Sequence, residues 1–167
     1  MLTILRGAAL ALMTTLMVAA PSRAAEVEGV KFDPTVQVGG ATLQLNGAGV
    51  RTRAIFKVYA AGLYVPAKST SADALLAQKG PRRVAITMLR SVDAKTFASS
   101  LDEGLRNNST EAQLAGWKAQ IEALNAALIA IGGTKSGDKI DFDFAPDAGG
   151  TRVVVNGQPK GAAIPGE

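Results

Sequence analysis

Apolar and polar residues change period several times along this chain, and each change marks an element. RRVAITMLR (82–90) alternates, with Val84, Ile86 and Met88 on one face, and predicts a strand. DKIDFDF (138–144) alternates again, with Ile140, Phe142 and Phe144 inward and Lys139, Asp141 and Asp143 outward. A turn at Asp147-Ala148-Gly149-Gly150 leads to a further strand, TRVVVNG (151–157). GQPKG then reads as a turn before a short last segment at 162–164. Near the start, 27–40 is apolar and turn-rich and predicts one or two small strands. The stretch 41–66 is rich in β-branched and aromatic residues, ends at Pro66, and predicts extended sheet. Two topologies fit it. Asn46-Gly47 can form a hairpin turn, or Gly47 and Gly49 can lie inside one long strand that something approaches closely.

Helical spacing appears in three places. SADALLAQKG (71–80) predicts a short helix, capped by Ser71 and stopped by Gly80-Pro81. In 92–108, Asp93 is the N-cap, Val92 and Phe97 form a hydrophobic staple, and Phe97, Leu101 and Leu105 share a face. From 110 to 131, a Thr110/Gln113 capping box opens a run with Leu114, Trp117, Ile121, Leu124, Leu128 and Ile131 on one stripe. This predicts one long helix with Trp117, Ile121, Leu124 and Leu128 buried on a sheet. The order is strands, helix, strand, two helices, strands. It points to an α+β fold, an antiparallel sheet with helices on one face. No repeat, low-complexity tract or linker divides 25–167, which is expected to be one domain.

Residues 1–24 read differently. Arg6 precedes an apolar run over 7–20, followed by Pro21 and the small residues Ser22 and Ala24 at −3 and −1 of a cut before Ala25. These are the three parts of a secretory signal peptide. The run is shorter than the roughly 20 residues a membrane span needs. The expectation is a processed protein of the periplasm or the secreted pool, with no integral span after cleavage.

Composition narrows the chemistry. The chain of 167 residues has 18 Lys and Arg, 14 Asp and Glu, and neither His nor Cys. Thiol nucleophiles, Ser-His-Asp triads, disulfides, Cys/His zinc sites and His-ligated haem are excluded. No DxDxDG-type loop suggests calcium, so no metal and no cofactor are expected. Without Arg6 and Arg23 the domain keeps 16 basic and 14 acidic residues, a charge of +2 with no basic cluster. Nucleic acid is therefore not an expected partner. The oligomeric state is not legible.

Few residues suggest chemistry. Arg51 follows Gly47-Ala48-Gly49-Val50, where thin backbone would let a guanidinium reach a carboxylate with two parallel bonds; the simpler reading of the residues alone is an Arg that snorkels to water. Tyr59 stands among small residues, as a pocket or tight packing would require. On one continuous strand the eight steps from Arg51 to Tyr59 would span about 26 Å. A shared ligand needs a turn between them, and no Gly, Pro, Asn or Asp announces one. Asp141 and Asp143, two apart on one strand face, can be a carboxylate pair but read more simply as the wet face of a half-exposed strand, and Lys57, Arg82 and Arg83 read as solvated.

Taken together, LNGAGVRTRAIFKVYAAGLYV (45–65), RRVAITMLRSVDAKTFASSLDEGL (82–105) and GDKIDFDFAPDAGGTRVVVNGQPKGAAI (137–164) resemble the chalcone isomerase-like domain, and within it a bacterial exported branch. The resemblance implies an open-faced β-sandwich, a large antiparallel sheet with a layer of helices. It also implies a site. Arg51 matches an Arg shared by the isomerases and by plastid fatty-acid-binding relatives. Tyr59 matches the Tyr with which the latter hold a carboxylate, and stands where the isomerases have Thr. The isomerases' Tyr and Asn fall on Phe97 and near Gly104, which lack those groups. Family members continue past Ile164 with another apolar helix, so the expectation is either a fragment or a domain that lacks this helix and one wall of its pocket. The resemblance implies a binder of a small apolar carboxylate such as a fatty acid, through Arg51 and Tyr59. The alternatives are an isomerase of a chalcone-like substrate, with Arg51 steadying an oxyanion, and a structural or partner-binding protein without a ligand.

Overall fold

The structure, a computed structural model, describes residues 24–166; all of the expected signal peptide but Ala24 lies outside them. Strands β1 (Ala25–Val27) and β2 (Val30–Phe32) form a small hairpin. Seven strands follow, β3 (Thr35–Val38), β4 (Ala41–Arg53), β5 (Phe56–Val65), β6 (Arg82–Met88), β7 (Lys139–Ala145), β8 (Gly150–Val155) and β9 (Gln158–Ile164). They build one antiparallel sheet in which every neighbour in space is a neighbour in sequence. Helix α1 (Ala72–Ala77) joins β5 to β6, and α2 (Ala94–Asn108), α3 (Glu111–Gly116) and α4 (Lys118–Ile129) join β6 to β7. The α+β class and the single helical layer over a large antiparallel sheet are as expected.

Such a meander needs tight reversals. Glu28-Gly29, Gly39-Gly40 and Asn156-Gly157 each make a two-residue loop with both φ angles positive. These loops match the right-handed twist of paired strands. The Asn156-Gly157 loop starts β9 at Gln158, so GQPKG is strand and not turn. Pro159 is tolerated there because β9 is an edge strand, where a missing N–H leaves no ladder bond broken.

Of the two topologies for 41–66, the long strand holds: Asn46 is a bulge between the Leu45 and Gly47 pairings, and β4 runs on to Arg53. Its Oδ1 accepts a bond from the Ser69 N–H at 2.8 Å. The reversal comes later, at Ala54-Ile55, where Ala54 takes φ +52. Nothing in the residue types announces this loop, because Ala occupies a position that usually falls to Gly.

Each sheet face has its own core. Under the helices, Ile86, Met88, Ile140, Val153 and Val155 meet Phe97, Ala98, Ala127 and Leu128. On the opposite face, the first hairpin lays Phe32 over Leu45, Ala60 and Tyr64. A Cβ on Gly62 would stand 2.7 Å from the Phe32 ring, so this crossing requires glycine. The Tyr64 hydroxyl donates to the Asp33 carbonyl at 3.0 Å and pins the hairpin down.

Two expectations need correction. The predicted single helix over 110–131 is two, kinked at Trp117, which has φ −102 and ψ 11. Gly116, a poor helix former, directly precedes the kink. The Thr110/Gln113 capping box is present. Leu128 is fully buried and Ile121 and Leu124 are half-buried, but Trp117 is 42% exposed, at the end of a groove beside Phe144 and Ile164. The stripe therefore meets the core at its C-terminal half only.

The second correction concerns Arg83, Asp141 and Asp143, which are not solvated. Arg83 donates two bonds to Asp143 and lies 3.6 Å from Asp141. All three side chains are less than a quarter exposed. Their strand positions do share one face, as the alternation requires. Mutual pairing lets that face be half-buried. Arg82, also expected in water, lies over the Phe144 ring at 5.2 Å.

Leu128→Ala should cost about 2–5 kcal/mol, the range for a core leucine. Trp117→Ala should cost less although it removes a larger side chain; denaturant titration giving the reverse order would place the kinked segment in the core. Burial raises the Asp141 carboxyl above its ordinary value, against the opposing pull of Arg83. The stability this group contributes is thus complete below the usual aspartate range and lost as pH rises through the raised value. Wild type should therefore lose stability relative to Asp141→Asn over that interval, read by urea midpoints at stepped pH. At neutral pH, Asp143→Asn should cost about 1.5–3 kcal/mol, the worth of bonds to a charged group.

Candidate functional site

Between helix α2 and strands β4 to β7 runs a cleft of about 470 Å³. Its apolar walls are Val58, Tyr59, Ile86 and Phe142 from the sheet and Val92, Phe97 and Leu101 from the helix side. Its mouth carries Arg51, Arg53, Phe56 and Arg90, with Asp93 and Thr96 from the start of α2 and Ser100 from its middle. Asp93 caps that helix, its carboxylate accepting the Thr96 N–H at 2.9 Å. The Thr96 hydroxyl first, and then this backbone bond, hold its carboxyl below the usual range.

The backbone brings the two singled-out residues together. Arg51 and Tyr59 are direct cross-strand partners in the β4/β5 ladder. The 26 Å of a continuous strand does not arise, because the chain reverses at Ala54-Ile55. Both side chains border the cleft. Arg51 is exposed and Tyr59 half-buried. Among the described residues, the Arg51 guanidinium has no ion-pair partner and the Tyr59 hydroxyl no hydrogen bond. Burial raises the Tyr59 hydroxyl above its usual value, with Arg51 opposing, so it stays a neutral donor at physiological pH. The positions before Arg51 on the same face are Gly47 and Gly49, where an added Cβ would meet nothing within 4 Å. The thin backbone read from the sequence is open space above β4.

Phe97 and Gly104 also border the cleft. Phe97 adds an apolar wall, and Gly104 leaves open space where a side chain would stand. Arg53, Phe56 and Arg90, which also border the cleft, were not singled out from the sequence. Arg90 stacks over the Phe56 ring at 4.6 Å. Arg53 pairs with Glu103 of α2 at 3.0 Å, tying the end of β4 to the helix across the mouth. A signal for Arg90 was available: it continues the alternation of Ile86 and Met88, which points at the helices. Phe56 and Arg53 had none, since their placement depends on an unannounced loop.

The comparisons with known proteins agree with this architecture. A fatty-acid-binding protein of Arabidopsis thaliana shares the fold, with a TM-score of 0.64 at 12% identity, covering 85% of this chain and 82% of that one. A comparison with curated proteins finds no match. A family model described as chalcone isomerase-like matches residues 24–167, and the chain belongs to that family.

Proposed function

We propose that this chain is an exported binder of a small apolar carboxylate, such as a fatty acid, held in the cleft under α2. Arg51 would take the carboxylate as a planar two-pronged donor, and Tyr59 would add a neutral hydrogen bond. The observation that carries this reading is the pairing of Arg51 with Tyr59 at the mouth of an apolar cleft, neither engaged by another described side chain. The cleft volume falls in the range of about 300–1,000 Å³ usual for small-molecule sites. The fatty-acid-binding relative in fold supports the choice of ligand class by analogy. Export rests on the three-part leader at 1–24.

An isomerase must position a phenolate and polarise a carbonyl at once. Phe97 and Gly104 supply neither a proton donor nor an acceptor to the cleft. This favours binding over turnover.

Arg51→Ala should lower fatty-acid affinity by about 1.5–3 kcal/mol, the worth of a bond to a charged group. Arg51→Lys should recover part of that, keeping the charge but not the fork. Tyr59→Phe should cost about 0.5–1.5 kcal/mol. Because Arg51 is exposed, unliganded stability should shift by less than about 0.5 kcal/mol in its variants. Calorimetric titration and denaturant melts read both quantities. Unchanged affinity in Arg51→Ala would remove the anchor, and saturable chalcone turnover lost in that variant would replace the binder with an enzyme.

Pulse-labelled cells should show a precursor shortened near Ala24, with the product outside the cytoplasm. Uncut protein retained in the cytoplasm would overturn export.

A further inference from the structure

We propose that the tip of the β4/β5 hairpin docks on a lipid bilayer bearing anionic headgroups. Ile55 enters the boundary between headgroups and acyl chains, and Arg51, Arg53, Lys57 and Arg90 lie at headgroup level. This goes beyond the binding reading and does not depend on it.

The tip is built against the usual rules for a two-residue loop. Ala54 adopts a left-handed φ of +52 in the turn, and the residue it presents to water is Ile55, 85% exposed. Phe56 follows at 53%. Ile55 and Phe56 thus form a contiguous exposed apolar pair at the end of the hairpin, and exposed apolar residues that are contiguous rather than scattered point to an interaction surface. Their surroundings are basic. No acidic residue occurs between Asp33 and Asp73, while Arg51, Arg53 and Lys57 flank the tip on both strands. Arg90 reaches in from the end of β6 to stack on Phe56.

The neighbouring acids are Glu28, paired with Lys57 at 2.7 Å, Glu103, paired with Arg53 at 3.0 Å, and the helix cap Asp93. Both pairs are exposed and weak, so an anionic surface can compete for their cations. Arg51 and Arg90 have no ion-pair partner among the described residues. The other strongly exposed apolar side chains, Leu76 on α1 and Ile129 on α4, are single residues without this basic flank.

Area decides the kind of partner. A stable protein interface buries about 800 Å² on each side, more than two apolar residues on a hairpin tip can supply. A bilayer requires only a few inserted side chains plus basic residues at its surface. The tip also adjoins the cleft, since Arg53, Ala54 and Phe56 line its mouth. Docking there turns the mouth toward the phase in which apolar carboxylates dissolve.

The chain has no cysteine, so a single label can be placed at will. Ile55→Cys and, as control, Leu76→Cys are labelled in the full chain with an environment-sensitive fluorophore and mixed with vesicles. Residues ahead of the domain are common to both, so attachment through them affects both alike. With vesicles of phosphatidylglycerol and phosphatidylcholine, the probe at 55 should shift to the blue and become shielded from aqueous iodide. The probe at 76 should do neither, and pure phosphatidylcholine should give a weaker response at 55. Ile55→Asp should lower partition to the anionic vesicles roughly tenfold or more, the worth of burying one large apolar side chain. Its affinity for a water-soluble short-chain fatty acid should be unchanged, because Ile55 does not line the cleft. A probe at 55 that stays quenchable with anionic vesicles would overturn the proposal. So would a blue shift that grows with protein concentration in their absence, since the tip would then bind a second copy.

Discussion

Backbone pairing between β4 and β5 places the site, and everything at the mouth of the cleft follows from its register. Directly opposite residues on antiparallel strands have their Cβ atoms about 4.5–5.5 Å apart. Arg51 and Tyr59 stand in that relation without a specific bond between them. Two irregularities set which residues face the helices. The bulge at Asn46 inverts the alternation of β4, so that Leu43 and Leu45 pack under the first hairpin while Gly47, Gly49 and Arg51 face the opposite way. A second shift, between the Arg51 and Thr52 pairings, aims Val58 and Tyr59 together at the cleft. A one-residue slip would exchange these sets completely, since the side-chain period of a strand is two.

Arg83 and Arg51 show what availability means physically. Arg83 is held by Asp143 and faced by Asp141 in a half-buried cluster. Its donors are spent, and its role is to let a charged stripe lie against protein. Arg51 is exposed, with bare glycines beside it and no carboxylate within ion-pair distance among the described residues. A guanidinium in that position keeps its fork for a ligand, and being solvated it carries little of the standing penalty of a buried unpaired charge. The same residue type is thus structural on one face of the sheet and available on the other.

Much of this fold was legible because its signals are local. Alternation in 82–90 and 138–144, the caps Ser71, Asp93 and Thr110, and the clustering of helices between two strands each need only a few consecutive residues. What was not legible depends on tertiary context. The Ala54-Ile55 loop has no turn residue, so 41–66 read either as a hairpin turning at Asn46-Gly47 or as one long strand, and the true reversal was not placed. The stripe over 110–131 is continuous in sequence, yet Gly116 and Trp117 kink it, because only its second half has a core to meet. Asp141 and Asp143 alternate outward as any wet strand would; their burial depends on Arg83 from another strand. For the site, the small residues around them singled out Arg51 and Tyr59 and the resemblance supplied their roles, while their adjacency required the fold.

The walls of the cleft bear on what can happen inside it. Tyr59 is pushed toward its neutral form by burial, so it donates a hydrogen bond more readily than it removes a proton. Asp93, the acid at the mouth, is occupied as a helix cap and stabilised in its charged form, which makes it a poor proton donor. The remaining walls are mostly aliphatic or aromatic. Proton transfer would need a group with a pKa near the operating pH, and neither of these two ionisable groups is shifted toward it. Cations at the rim with apolar walls behind them instead suit a ligand whose charge stays at the entrance and whose chain enters the dry interior. Desolvation then falls on the tail, where it is favourable, and the carboxylate keeps its contact with water.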